Sequence, residues 1–236
     1  MRWRLSKLNW PYAVGELFIV VAGVLIAHAV DQWNSDRLDR VAEIEIIDRF
    51  LSDLHEDADA ISVGLRILQT KLDLLLQIAP VLEGADPRPS DRTQFLNNVM
   101  LSTGYGWAQA RARRTTLDDL LGSGRLGLVR DATVRAGISY YYAFDLNLSA
   151  RIGERETDYP SLAYRLVPRS SEGSLETNLT EAQESRYVGR VLDSALEDHV
   201  VGEINFSRFV AERFVRWQNV CLELIDELET YRTSLE

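Results

Sequence analysis

Residues 47–82, IDRFLSDLHEDADAISVGLRILQTKLDLLLQIAPVL, decide the fold of this chain. Apolar residues recur there at alternating intervals of four and three, and charged residues fill many of the positions between them. That period is typical of the contact face of a helix in a coiled coil. We therefore predict one helix from about residue 35 to residue 79, ended by Pro80 and by the glycine and prolines after it. The apolar series is Ile47, Leu51, Leu54, Ala58, Ile61, Leu65, Leu68, Leu72, Leu75, Ala79 and Leu82.

The C-terminal end of the chain repeats the same period, which predicts a second long helix over residues 205–232. A third helix is predicted over residues 133–166, where Pro160 is expected to introduce a kink. Two shorter predicted helices, residues 90–101 and 115–121, each begin with a serine or threonine that suits a helix cap. The C-terminal apolar series is Val210, Phe214, Trp217, Cys221, Leu224, Leu228, Tyr231 and Leu235.

These apolar stripes are unstable in water, so the long helices must pack on one another or on a second subunit. No alternating strand pattern extends beyond four residues, apart from an ambiguous stretch at 125–130. The predicted fold is therefore all-α: an N-terminal transmembrane helix followed by an elongated helical bundle with a long coiled-coil hairpin. Residues 80–90 and 168–179 are predicted linkers.

The N-terminal segment 12–30, YAVGELFIVVAGVLIAHAV, is apolar except for Glu16 and His28. As a helix with a rise of about 1.5 Å per residue, it is long enough to cross a hydrocarbon layer about 30 Å thick. We predict a transmembrane helix here, preceded by the N-terminal segment 1–11 and followed by a domain over 31–236. Gly15, Gly23 and Ala27 share one face of this helix, and our candidates for association between membrane helices are Glu16, Gly23 and Ala27.

The charges that flank the segment predict its orientation. Arg2, Arg4 and Lys7 precede it, and the residues that follow it are net acidic. By the positive-inside rule, the N-terminus is then cytoplasmic and the bulk of the chain lies outside the cytoplasm. Two alternatives remain open: residues 27–29, Ala-His-Ala, have the form of a signal-peptide cleavage site, and the segment also suits a buried core helix.

The rest of the chain is acidic. Residues 31–236 carry 23 basic and 35 acidic side chains, which argues against binding to nucleic acid or to anionic lipid. Arg111, Arg113 and Arg114 form the one compact basic cluster along the sequence. Cys221 is the only cysteine, so the chain has no internal disulfide, and its place in the apolar series predicts a small core residue.

Two stretches resemble a bacterial family of membrane-anchored helical proteins. Residues 12–37, YAVGELFIVVAGVLIAHAVDQWNSDR, are similar to that family's opening span, which begins Tyr-Ala-Ile-Gly-Glu. Residues 115–142, TTLDDLLGSGRLGLVRDATVRAGISYYY, are similar to a later motif of the family. The candidate motif positions are Leu121, Gly124, Leu126, Leu128, Val129, Arg135, Tyr141 and Tyr142.

The domain of that family has no assigned activity, so the resemblance implies a topology and a fold rather than a reaction. It implies a location in the bacterial inner membrane, with the helical domain in the periplasm. It also implies that Glu16 belongs to the anchor motif. The sequence departs from the motif at Gly122, which replaces a polar residue, and at Thr116, where an aromatic residue is usual.

No pattern in the sequence points to a cofactor or a metal, and we expect neither. An acidic run at 53–59 lies on a predicted helix, where successive side chains point about 100° apart, so we interpret it as a solvated face. The glycines between Gly122 and Gly127 lack the lysine of a phosphate-binding loop and suit a turn between helices. At least one ring of residues 140–142 is expected to be exposed. The acidic run is Asp53, His55, Glu56, Asp57 and Asp59.

Three function hypotheses follow. The first is a structural or interaction protein that presents its acidic domain in the periplasm, with a protein partner or a second copy of itself and no nucleic acid. The second is a ligand-binding sensor coupled to a membrane partner, in which segment 122–127 closes a pocket between the long helices. The third is an enzyme with a site of unfamiliar pattern. The lack of catalytic motifs favours the first over the third.

Overall fold

The computed structural model describes residues 10–84, 89–104, 110–170, 175–176 and 178–236, with side chains from residue 14 onward. Within these ranges the chain is all-helical, as predicted, and the one strand-like feature is an isolated antiparallel bridge between Arg169 and Leu175. Residues 2–7, on which the orientation prediction depends, and parts of both predicted linkers lie outside the described residues. The helices are α1 (Trp10–Leu82), α2 (Arg92–Leu101), α3 (Thr115–Ser123), a 3₁₀ helix (Arg125–Leu128), α4 (Ala132–Gly153), α5 (Tyr159–Leu166), α6 (Glu181–Leu192) and α7 (Leu196–Leu235).

Helix α1 is continuous over 73 residues, a length of about 110 Å at 1.5 Å per residue. Its first part is apolar and uncovered: the most hydrophobic stretch of 18 residues is 0% buried. The alternative of a buried core helix is therefore wrong for this segment, whereas a membrane anchor and a signal sequence both remain compatible with it. The helix continues through Pro80 to Leu82, and Gly84 follows in the left-handed conformation with φ +74°.

Helices α1 and α7 form an antiparallel pair, and their contact is the most extensive between two helices in the described part of the chain. The hydrogen bonds and the ion pair between the two helices define their register. The residue number rises along α1 as it falls along α7, so the helices are antiparallel. The pairs are Glu43 with Tyr231, Leu54 with Cys221, Ser62 with Gln218, and Lys71 with Glu203.

Two apolar cores lie along this pair. One core joins residues 46–68 of α1 to residues 206–228 of α7, and α3 and α4 complete it. The other joins residues 75–82 of α1 to residues 196–204 of α7, and α2, α5 and α6 complete it. Between the two cores, Lys71 of α1 meets Glu203 of α7.

The predicted contact face of α7 is confirmed, and that of α1 is half right. On α7, the series from Val210 to Leu228 is buried at every predicted position. On α1, the series from Ile47 through Leu54 to Leu82 is buried, but its predicted companions Leu51, Ala58, Leu65 and Leu72 are half-buried. The fully buried companions lie on the other flank of the helix, and they are Glu43, Phe50, Asp57, Gly64, Lys71 and Ile78.

The predicted helix 133–166 is two helices. Residues 154–158 separate α4 from α5, because this polar segment offers no apolar side chain to the core and Pro160 lies in the first turn of α5. The ambiguous stretch 125–130 forms the 3₁₀ helix rather than a strand. The side chain of Asp91, not Ser90, caps α2, and α3 begins without a side-chain cap.

Candidate functional site

Helix α1 carries three ionisable side chains on its fully buried flank. Glu43, Asp57 and Lys71 are spaced fourteen residues apart and are each at most 2% exposed. Burial of a charged group is costly unless hydrogen bonds or an opposite charge compensate for it. Each of the three contacts a backbone group in a connection between helices. Lys71 contacts the connection after α2, Asp57 contacts the connection before α3, and Glu43 contacts the connection after the 3₁₀ helix.

Asp57 is the centre of this row. Both of its carboxylate oxygens accept a hydrogen bond from the backbone N–H of Arg113 at 3.1 Å, and the Tyr141 hydroxyl donates to Oδ2 at 2.7 Å. Burial raises the pKa of Asp57 to about 6, although the Tyr141 hydroxyl and the Arg113 backbone and charge oppose the rise. The carboxyl therefore exchanges a proton close to neutral pH.

The interpretation of residues 53–59 as a solvated face is wrong for Asp57. Glu56 and Asp59 are exposed as expected, but Asp57 points inward because the connection 110–114 crosses α1 at this level and its N–H groups need acceptors. Asp53 similarly accepts from the backbone N–H of Thr116 at 3.3 Å, in the first turn of α3. Among the described residues no group of acidic, histidine or cysteine side chains has the arrangement of a metal site.

Tyr141, Tyr142 and Cys221 surround the Asp57 carboxyl. The Tyr142 hydroxyl donates to the carbonyl of Arg113 at 2.9 Å, so both tyrosines hold the same connection. Burial raises the pKa of each tyrosine, and it raises the pKa of the Cys221 thiol to about 11. The thiol donates to the carbonyl of Leu54 at 3.4 Å and is an unreactive core group at neutral pH.

Glu43 joins α1 to the segment that carries the second motif. Its Oε1 accepts from the backbone N–H of Arg130 and from the Tyr231 hydroxyl, both at 2.6 Å. The Arg135 guanidinium donates to the carbonyls of Val129 and Arg130 just before α4. Gly124 closes α3 in the left-handed conformation, with φ +69°, where a side chain is disfavoured.

The motif positions thus have separate local roles and do not line one site. Arg135, Tyr141 and Tyr142 contact backbone carbonyls or buried carboxylates, and Leu126 and Leu128 pack on the apolar core. Leu121 is 53% exposed. Arg135, Leu126 and Leu128 hold the chain between α3 and α4, whereas Tyr141 and Tyr142 hold the connection before α3.

Lys71 and Glu203 form a buried ion pair, with 2.5 Å between Nζ and Oε1. Burial lowers the pKa of Lys71, and the Glu203 carboxylate opposes this shift. Lys71 also donates to the carbonyl of Gly104 at 3.4 Å, and the Thr157 hydroxyl donates to Glu203. The pair therefore ties α1, α7 and two connections together between the two apolar cores.

The candidate residues of the membrane helix lie apart from all of these contacts. Glu16, Gly23 and Ala27 are exposed, and a methyl group added at Gly23 would meet nothing within 4 Å. The three share one face of α1 because their spacings of seven and four approximate whole turns.

A groove between α4 and α7 is one of several surface hollows large enough for a small ligand. It has a volume of about 490 Å³ and is lined by Tyr140, Phe144 and Asn147 of α4 together with three arginines. These are Arg151 of α4 and Arg213 and Arg216 of α7. Tyr140 is 59% exposed, which confirms that one ring of the tyrosine run faces solvent.

Sequence analysis missed this groove because Arg151 of α4 is more than 60 residues from Arg213 and Arg216 of α7 along the chain. The cluster that is compact in sequence is largely neutralised instead: Arg113 pairs with Glu56 at 2.8 Å and Arg114 with Asp118 at 3.1 Å. The signal that the sequence offered was the recurrence of arginine at 213 and 216 beside an otherwise acidic helix.

Comparison with protein-family models, with curated proteins and with solved structures gives no match. The resemblance described from the two motifs therefore stays an expectation.

Proposed function

We propose that this protein is a single-pass membrane protein of the bacterial inner membrane that presents an acidic helical domain in the periplasm as an interaction platform. The continuity of α1 is the observation that carries the proposal. No side chain from Val14 to Val41 is fully buried, and the same helix is then buried at Glu43 and enters the apolar core at Ile46. An uncovered apolar helix of this length needs a nonpolar environment.

A rigid link between membrane and domain follows from that continuity. Residues 31–41 are helical and mostly exposed, so they would form a stalk of about 17 Å between the span and the domain. A helix without a flexible linker transmits rotation or tilt from one end to the other. Such a rigid link suits a protein in which a change of partner at the membrane helix is coupled to a change of partner at the domain.

We further propose that α1 and α7 form an antiparallel coiled coil within an elongated bundle. Support comes from α7, where buried positions alternate at intervals of four and three from Glu203 to Leu228, and from the two heptad series buried on α1. This period keeps the apolar face of each helix turned toward its partner as the two helices wind around each other. A second copy of the chain is the partner that we propose for the uncovered membrane helix.

In this proposal, the face with Glu16, Gly23 and Ala27 mediates the association of two membrane helices. A transmembrane-association reporter in bacteria tests it with Gly23→Leu, which adds bulk to that face. Leu25→Ile, on the opposite face, is the matched control. We expect a weaker signal for Gly23→Leu alone, and equal signals for the two variants would contradict the role of this face.

The topology is tested by fusing the C-terminus to alkaline phosphatase, which is active only outside the cytoplasm, and separately to a fluorescent protein that matures only inside it. We expect phosphatase activity and no fluorescence. Mass spectrometry of the membrane-extracted protein should give a chain that retains residues 12–30. A soluble chain that begins near Val30 would establish the signal-peptide alternative, and cytoplasmic fluorescence would overturn the orientation.

The alternative function is a ligand-binding sensor domain, and the α4–α7 groove is the observation that favours it. The groove differs from the pocket expected for a sensor, because α4 and α7 line it rather than segment 122–127. If a ligand alters the association of the membrane helices, that result supports the sensor. In an interaction platform, the membrane helices would associate equally with and without the ligand.

A further inference from the structure

We propose that the groove between α4 and α7 binds a small anion that joins a phosphate or carboxylate head to an aromatic or apolar body. The inference concerns the domain alone and stands whether or not residues 12–30 anchor the chain. It begins with the charge of the groove, which is opposite to that of the domain around it.

In the described part of the chain, the arginines of the groove have no carboxylate partner. Within the described ranges, no carboxylate oxygen lies within the 4.0 Å of an ion pair from Arg151, Arg213 or Arg216, although residues 31–236 carry 35 acidic side chains. Some surface arginines of the domain have such partners, as Arg49 does with Asp119 and Arg232 with Asp48, whereas Arg208 has none within the described ranges. The groove differs because it brings three arginines without such a partner to one place. Glu212 lines a neighbouring hollow together with Arg213 and Arg216 but lies outside ion-pair distance of both.

One arginine of the groove, Arg213, shares an aromatic contact with Arg155, which does not line the groove. The guanidiniums of Arg155 and Arg213 lie 4.3 Å and 5.3 Å from the centre of the Phe209 ring, on which both stack. Stacking on an aromatic ring fixes the plane of a guanidinium while its N–H donors stay available. Arg213 is therefore held in place before any ligand arrives, which reduces the entropy lost on binding.

The other side of the groove is aromatic. Tyr140 and Phe144 lie one turn apart on α4 with ring centres 6.2 Å apart, and both line the groove. A ligand head at the arginines would place an attached ring or chain against these two side chains. Forked guanidinium donors with an aromatic wall are a common combination in sites that recognise phosphate or carboxylate groups on organic molecules.

The size and the position of the groove restrict its occupant. About 490 Å³ falls in the range of small-molecule sites, roughly 300–1,000 Å³. The contacts of Gln218 with Ser62 and of Glu203 with Lys71 place Arg213 and Arg216 level with the middle of α1. That level is about 50 Å along the helix from Val30, so the headgroups of an anchoring bilayer are out of reach. A soluble anion is the source that remains.

The test uses the full chain in nanodiscs of phosphatidylcholine, with phenyl phosphate as the probe in isothermal titration calorimetry at pH about 7.5, where a phosphate monoester is close to a dianion. Inorganic phosphate and phenol are the matched half-ligands. We expect phenyl phosphate to bind at least about tenfold more tightly than inorganic phosphate and phenol to give no binding heat, because the groove contributes a charged part and an aromatic part. Equal affinity for phosphate and phenyl phosphate would overturn the aromatic half of the proposal.

Three variants identify the site. Arg213→Gln and Arg151→Gln should each weaken phenyl phosphate binding about tenfold or more, the effect of one lost charge-assisted contact. Arg208→Gln, an exposed arginine on α7 outside the groove, should leave the affinity unchanged. Equal losses in all three variants would show nonspecific attraction and overturn the site.

Two further outcomes also decide against the proposal. One is the absence of binding heat up to about 10 mM phenyl phosphate, which is weaker than a specific site of this size requires. The other is a glutamate-rich peptide that binds more tightly than phenyl phosphate and displaces it, which would make the groove a docking surface for an acidic protein. Binding that is retained by the full chain but lost in Arg213→Gln supports the small-anion site.

Discussion

At the residue scale, the ionisable side chains buried on α1 are explained by the backbone that crosses the helix. Connections next to an apolar core carry N–H and C=O groups that leucine cannot satisfy. Glu43 and Asp57 accept from N–H groups of Arg130 and Arg113, and Lys71 donates to the carbonyl of Gly104. These three positions fix irregular parts of the chain against α1.

Asp57 should make stability depend on pH. Its pKa is raised from 3.8 to about 6, so the folded chain binds a proton more tightly than the unfolded chain. The stabilisation by protonation is therefore fully present below about pH 4 and is lost as the pH rises through about 6, with an upper limit of roughly 3 kcal/mol for a shift of about two units. Urea unfolding of the full chain in neutral detergent measures this for the wild type and Asp57→Asn.

The difference in unfolding free energy between wild type and Asp57→Asn should therefore shift in favour of the wild type between pH 7.5 and pH 4.5. The other carboxyl groups of the chain titrate in both proteins and cancel in this difference. A difference that is independent of pH would show that the Asp57 carboxyl does not titrate in this window.

The buried ion pair predicts an asymmetry between single and double replacement. Lys71→Met leaves the Glu203 carboxylate buried without its cation and should cost about 3–5 kcal/mol. The double variant Lys71→Met with Glu203→Leu should recover most of that loss, since two apolar side chains suit the junction of the two cores. Arg49→Ala, which breaks an exposed pair with Asp119, is the control and should cost at most about 1 kcal/mol. A double variant no more stable than Lys71→Met would contradict this account.

At the element scale, the two flanks of α1 differ in what covers them. The flank with Asp57 and Lys71 is covered by the connection at residues 110–114 and by the chain at Gly104, so it is closed to solvent. The flank with Leu51 and Leu65 borders the rim of the α1–α7 contact, near the hydrogen bond between Ser62 and Gln218, and stays half-buried. Burial, not hydrophobicity alone, should then set the cost of a truncation.

Leu68→Ala and Leu65→Ala compare the central buried series of α1 with its half-buried flank, using the same chemical change. Leu68 is 1% exposed, and its truncation should cost about 2–5 kcal/mol through lost burial and a residual cavity. Leu65 is half-buried, and its truncation should cost about half as much. Urea unfolding compares the variants, with the exposed Asp59→Ala as a control expected within about 0.5 kcal/mol of wild type. Equal costs at 65 and 68 would show that the flank with Leu65, which the apolar pattern predicts to be buried, contributes as much as the central series.

The close approach of α4 to α7 rests on Gly137. A methyl group there would lie 2.8 Å from Oε2 of Glu227 and 3.1 Å from Cδ1 of Leu224, so Gly137→Ala should destabilise by about 1 kcal/mol or more. Gly202, inside α7, has nothing within 4 Å of the added methyl, and Gly202→Ala should stabilise by about 0.5–1 kcal/mol. The opposite signs are checked by thermal unfolding of both variants, and a stabilising Gly137→Ala would show that the helices can separate at no cost.

At the scale of the whole molecule, the domain and the uncovered part of α1 share a helix but no buried contact. No side chain from Val14 to Val41 is fully buried, and the apolar cores begin at Ile46. The N-terminal segment therefore adds nothing to the packing of the domain.

A chain that begins at Ser35 should accordingly keep the unfolding free energy of the full chain within about 0.5 kcal/mol, because only exposed positions are removed. Urea unfolding followed by the helical circular dichroism signal compares the two chains. A strand-dominated spectrum would reject the all-helical domain, and a large loss of stability would show that residues before Ser35 pack on it.

The sequence by itself determined the helical class, the long helices at both ends and the uncovered apolar segment, since all three depend on periods and lengths that are local to the chain. It also determined the contact face of α7, where a single series of apolar residues leaves no choice. On α1 two heptad series flank Ile47, Leu54 and Ile61, and the apolar one, Leu51 to Leu72, was the natural prediction. Only the tertiary structure decided that the series with Asp57 and Lys71 is the buried one. Gly104 and residues 110–114, which are distant along the chain, bring backbone groups against α1, and these groups need Asp57 and Lys71 as buried hydrogen-bond partners. The arginine groove was decided in the same way: α4 and α7 meet across more than sixty residues, and no local pattern specifies which charges that contact brings together.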